Sequence, residues 1–184
     1  MPDVEEEIQD ESIDKDIHFT YKEHMEKDSL CQGDILEKTD DLIAILKEVH
    51  PYFLNEAYKY FMVLSQSCDL VRRNGKTCKT PYITLAAVRE YSDFLERTLV
   101  SNKMAENYNG IFLVEERAKA RVTQLVERVY NNTEPDYFFL YKEDALNFPK
   151  SMVVYLKVSI ALKSELHYDS CLNAKRLELS DEFK

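Results

Sequence analysis

Residues Tyr58–Glu90 read YKYFMVLSQSCDLVRRNGKTCKTPYITLAAVRE, and the fold turns on how this stretch is taken. Tyr60 to Leu64 is an unbroken apolar run, which suits a strand buried on both faces. A polar knot follows, Ser65-Gln66-Ser67-Cys68-Asp69, and then a basic turn, Arg72-Arg73-Asn74-Gly75-Lys76. Tyr82 to Val88 is a second apolar run. Asn-Gly readily takes the positive φ angles of a tight turn, so the two runs are expected to pair as an antiparallel hairpin. Pro81 has no amide proton and fits the start of the second strand, not its middle. The knot thus sits where a buried strand emerges, a position at which a rigid strand fixes the side chains that follow it. Ser65, Ser67 and Asp69 there suit either a binding role or the satisfaction of backbone amides at a strand end.

Outward from the hairpin, the signals alternate irregularly between helix and strand. Leu30-Cys31-Gln32-Gly33-Asp34-Ile35-Leu36 reads as a turn entering a strand, bent at Gly33. Asp40 to Phe53 places Leu42, Ile43, Ile45, Leu46 and Val49 on one helical stripe, capped by Thr39 or Asp40 and closed by Pro51. Helices are predicted from Tyr91 to Val100, from about Val114 to Tyr130, and from His167 to Leu177. Tyr137 to Tyr141 and Met152 to Leu156 read as strands, the latter continuing to Leu162 after a kink or bulge. Ile17 to Lys27 fits a short strand or a helix start, and Ser180-Asp181-Glu182 a cap and first turn. Sequential strands without regular βαβ alternation predict an α+β domain, either a small curved antiparallel sheet or an SH3-like barrel with helical insertions.

Charge divides the chain. Residues 1–50 carry 16 acids and 5 Lys/Arg, whereas residues 51–184 carry 18 acids and 19 Lys/Arg. Residues 1–16 alone hold eight acids and one lysine, so we expect a flexible acidic arm followed by a single domain over 17–184. No apolar run approaches 20 residues and the start is acidic, which predicts neither a membrane span nor a signal peptide. Four cysteines without paired short spacings read as reduced thiols of a cytoplasmic protein. Only 3 glycines argue against a phosphate-cradling nucleotide loop, and no cofactor is expected.

Gly33-Asp34-Ile35, Val63-Leu64-Ser65 and the run Ile83 to Val88 together resemble, in order, strands of the MazF/PemK-like toxin family. That resemblance implies an SH3-like barrel and endoribonuclease activity, with an arginine in the loop after the first strand and a Ser/Thr farther on. The corresponding loop here is Glu37-Lys38-Thr39-Asp40-Asp41, without arginine. The Ser-Gln-Ser-Cys-Asp-Leu segment also resembles one in small uncharacterised bacterial proteins.

Cys68 with Asp69 is the sharpest catalytic candidate, since a nucleophilic thiol needs a cation or histidine nearby and Arg72 and Arg73 are close in sequence. His18, His24, His50 and His167 fall in no local signature, and a packed structural cysteine is the plain alternative. The Cys68/Cys78 spacing is not that of a zinc knuckle, so no metal is expected. Arg72, Arg73, Lys76 and Lys79 form a basic tip suited to phosphates or to an acidic segment, and with Ser65, Gln66 and Ser67 make up the candidate binding surface. With no complete catalytic constellation, we expect a non-enzymatic accessory or protein-binding module, in a bacterial defence or toxin-related setting. A divergent endoribonuclease or other nucleic-acid enzyme is the alternative.

Overall fold

The computed structural model describes residues 18–72, 77–101, 106–108, 111–113 and 116–183, with side chains described outside 102–115. Six strands form one fully antiparallel sheet: β1 (Ile35–Glu37), β2 (Tyr60–Val63), β3 (Tyr82–Glu90), β6 (Tyr137–Leu140), β7 (Met152–Lys163) and β8 (Lys175–Leu177). Their order is β6-β7-β3-β2-β1-β8. Two further strands, β4 (Glu106–Tyr108) and β5 (Ile111–Leu113), pair with each other and, among the described residues, with no other strand. Five helices accompany them: α1 (Asp40–Val49), α2 (Ser67–Leu70), α3 (Tyr91–Ser101), α4 (Glu116–Tyr130) and α5 (Ser164–Asn173). Among the described residues no helix is long and apolar enough to cross a membrane.

Of the two architectures left open by the sequence, the open sheet is the one observed. The described strands do not close into an SH3-like barrel, because β6 and β8 lie at opposite edges and never meet. The predicted hairpin pairing is present, with Tyr60 opposite Val88 and Val63 opposite Leu85. Its ladder stops well before the turn: α2 begins at Ser67, and 73–76, which include Asn74 and Gly75, lie outside the described residues. The acidic arm likewise falls outside them.

Alternation along the strands divides the core. Leu36, Phe61, Val63, Ile83, Leu85, Ala87, Ile160 and Leu162 face α1, α5 and Phe53. Ile35, Met62, Ala86, Val88 and Val154 point to the opposite face, which is covered by Tyr21, Phe148 and Leu179 from irregular segments. At the β6 end of the helical face, Phe94 of α3 and Val129 of α4 close over Phe139 and Val153. One sheet face therefore carries helices and the other carries loops, a two-layer solution to burying a sheet.

Three features of the strand and helix ends have physical causes. Helix α1 ends at Val49 because Pro51, which the sequence marked as its end, cannot continue it and instead opens a short 3-10 turn, Pro51–Leu54. Strand β7 continues to Lys163 through a bulge of the kind the sequence left open: Ala86 faces Ser159 while its neighbour Ala87 faces Tyr155. Leu156 N donates to Asp136 O at this bulge. The last helix stops at Asn173, and the residues read as its final turn form β8, because Ile35 and Leu36 of β1 offer partners to Leu177 and Lys175. Residues 18–27 form neither a strand nor a helix; Tyr21 makes one antiparallel bridge to Leu179. Asp181–Phe183 form a single 3-10 turn.

Candidate functional site

The polar knot lies on the helical side of the sheet, where β2 ends. Ser65 Oγ accepts from Thr84 N at 2.9 Å and so extends the β2–β3 ladder by one side-chain rung. Ser67 Oγ accepts from Gln32 N at 2.9 Å, tying α2 to the turn before β1. Gln66 precedes α2, and its carbonyl oxygen accepts from Asp69 N and Leu70 N. The two serine hydroxyls and the Gln66 carbonyl thus hold backbone at the strand end. Leu70 is fully buried under this turn and anchors it.

Around this scaffold sit the charged candidates. Asp69 pairs with Lys79 at 3.0 Å, and Asp69 O accepts from Thr80 N. Arg72 donates from Nη1 to Asp169 on α5 at 2.6 Å, and its guanidinium lies 3.8 Å from the centroid of the Tyr168 ring. Tyr168 is itself buried, with its hydroxyl accepting from Leu30 N at 3.1 Å. A buried ring thus holds a half-exposed arginine in place. Arg73 and Lys76 lie outside the described residues.

Cys68 is exposed, with Gln66 Oε1 at 3.8 Å, and no histidine bonds to it among the described residues. Cys78 is buried and donates to Thr80 O at 3.3 Å, so the two sulfurs have unlike surroundings. Burial pushes the Cys171 thiol up to about 12, as befits an inert core residue. Among the described residues no three His, Cys, Asp or Glu side chains gather as a metal site.

The site contains residues that sequence reasoning did not find. Tyr168 and Asp169 lie about a hundred positions beyond Arg72, and no local signal joins them. Leu166, one turn before Asp169, is 66% exposed, and Val71 beside Arg72 is 47% exposed. Next to them a cavity of about 430 Å³ opens between Thr80-Pro81 and Lys163-Ser164-Glu165. The cations of α4 do not extend this surface. Helix α4 packs on β6 and α3, toward the Met152 end of β7, whereas Ser164 N bonds to Pro81 O at its Lys163 end. No family model, no curated protein and no solved structure matches this chain.

Proposed function

We propose that this chain is a non-enzymatic protein-binding module that presents the α2–α5 end of its sheet to a protein partner. The observation that carries this reading is Arg72 laid over the buried Tyr168 ring, with Val71 and Leu166 exposed beside it. Arginine and aromatic groups held rigid next to exposed aliphatics have the composition of interface centres. The knot supports the reading from below, since Ser65 and Ser67 spend their hydroxyls on backbone and stiffen the platform. A setting in a bacterial defence or toxin-related system rests on the sequence resemblance alone.

The nucleic-acid reading takes second place on the same geometry. Its described cations, Arg72 and Lys79, are each paired with a carboxylate. In the loop where the toxin-like resemblance implies an arginine, Thr39 serves as the cap of α1 and Lys38 donates to Leu54 O and Asn55 O.

Cys68 offers a direct test, because it is exposed at this surface. A photo-cross-linker attached to Cys68 in a Cys31→Ser background should capture one host protein. Arg72→Glu and Leu166→Asp should each weaken that complex by about tenfold or more. Capture that persists equally in both variants would sink the proposal. Capture of RNA instead, lost at raised salt, would favour the nucleic-acid reading.

A further inference from the structure

Arg89 is the last inward-facing residue of β3. Ile83, Leu85 and Ala87 share its face and are fully buried, and Arg89 itself is only 8% exposed. It thus places a guanidinium between the main core cluster and the smaller one formed by α3, α4 and β6. Its ring neighbours are Tyr58 at 5.8 Å and Tyr155 at 5.7 Å from the guanidinium carbon. Its nearest carboxylate is Asp93, at 3.6 Å from Nη2, which is beyond good hydrogen-bond distance. Nε is buried and has no hydrogen-bond partner among the described residues.

A guanidinium carries five N–H donors in a planar fork, and burying such a group without partners is costly. Here Arg89 lines a cavity of about 680 Å³. Phe94, Tyr137 and Tyr155 supply aromatic wall, and Arg97 lines the cavity one helical turn beyond Asp93. Burial raises the phenols of Tyr58 and Tyr155, while the charges of both Arg89 and Arg97 act against that rise, so both guanidinium groups work on the same two rings. Asp93 and Glu96 also line the cavity and balance the two arginines in formal charge. Net charge therefore does not draw a ligand in; the attraction comes from a buried, incompletely bonded guanidinium beside aromatic surface.

We propose that this cavity is a binding site for a small aromatic oxyanion, a planar ring bearing a carboxylate or a phosphate. The oxyanion takes the Arg89 guanidinium, with Arg97 as the second cation, and the ring lies against the half-buried Tyr137 and Tyr155, which Phe94 backs from the core. Carboxylate and phosphate both match the fork geometry of arginine, and the volume lies in the range of small-molecule sites. The site stands apart from the α2–α5 surface, being at the other end of β3.

The test uses the full chain, with phenyl phosphate, benzoate and adenosine monophosphate titrated by calorimetry and followed by thermal unfolding. Inorganic phosphate and phenol serve as half-ligands. At least one aromatic oxyanion should bind at least about tenfold more tightly than either half-ligand, and preference between benzoate and phenyl phosphate assigns the anionic group. Arg89→Gln should weaken binding at least about tenfold. If that variant does not fold, Arg97→Gln and Ser101→Trp change exposed positions at the cavity and should weaken binding while leaving the unfolding midpoint nearly unchanged. The proposal is overturned if no aromatic oxyanion binds, if a half-ligand binds equally well, or if binding is unchanged in the folded variants.

Discussion

Gly33 has a φ of +86°, and a Cβ added there would lie 3.0 Å from Leu179 Cδ1. Both the backbone angle and the close approach require glycine, so Gly33→Ala should cost roughly 1–3 kcal/mol, read as a lower urea midpoint. One residue on, Asp34 is fully buried. Lys175 Nζ lies 2.9 Å from both Asp34 Oδ2 and Glu178 Oε2, and donates to Ser29 O. Desolvation raises the Asp34 carboxyl to about 6, with Glu178 adding to the rise and the Cys31 amide and Lys175 opposing it. Because the folded state holds this proton more tightly, the stability it confers is complete below about pH 3.8 and is lost as pH rises to about 6. Wild type should therefore gain roughly 1–3 kcal/mol over Asp34→Asn between pH 7 and pH 4, measured by urea unfolding at each pH. A flat difference across that range would remove Asp34 as the titrating group.

Among the elements, helix α1 shows how much local chemistry reveals. Thr39 Oγ1 accepts from Leu42 N at 3.3 Å, Asp40 and Asp41 fill the first turn and Lys47 the last. Thr39→Ala should lower stability by about 1 kcal/mol with little change of fold, checked by circular dichroism melts. The β2–β3 pairing was legible for a similar reason: two unbroken apolar runs flank a turn signal and Pro81 marks a strand start. Strand β8 was not legible. His167 to Leu177 keeps a helical period, and what ends the helix early is pairing with β1, a partner far away in sequence. Strand β6 has its own device. Asn132, at φ +53°, offers its side-chain oxygen to Phe139 N while its amide donates to Phe139 O. A side chain thus occupies part of the open edge. Asn132→Gly keeps the backbone freedom and removes only these bonds. It should lower the melting temperature and increase light scattering on heating.

Across the whole molecule, the sequence conveyed the class, an α+β chain with an antiparallel sheet, but not its closure. Strand patterning reports which faces are buried, whereas an open sheet and a barrel differ in which strands stand at the edges, and that is decided by distant partners. The same limit applied to function. The knot was visible as residues and a scaffold role was one of its two readings, but which amides Ser65 and Ser67 hold, those of Thr84 and Gln32, depends on the fold. Arg89 follows three buried inward-facing residues, so its inward position could have been inferred from alternation, though the cavity before it depends on α3 and β6.

The segment around Tyr21 bridges Leu179, with Lys22 N bonding to Glu178 O and Ser180 N to Thr20 O, and β8 completes the sheet against β1. The earliest described residues and the latest therefore finish one another. During synthesis this edge has no partner until residues 175–180 have left the ribosome, and β1 waits beside β2 with its outer side unpaired. Such distant closure slows folding and leaves the nascent chain open to misassociation until the edge is filled.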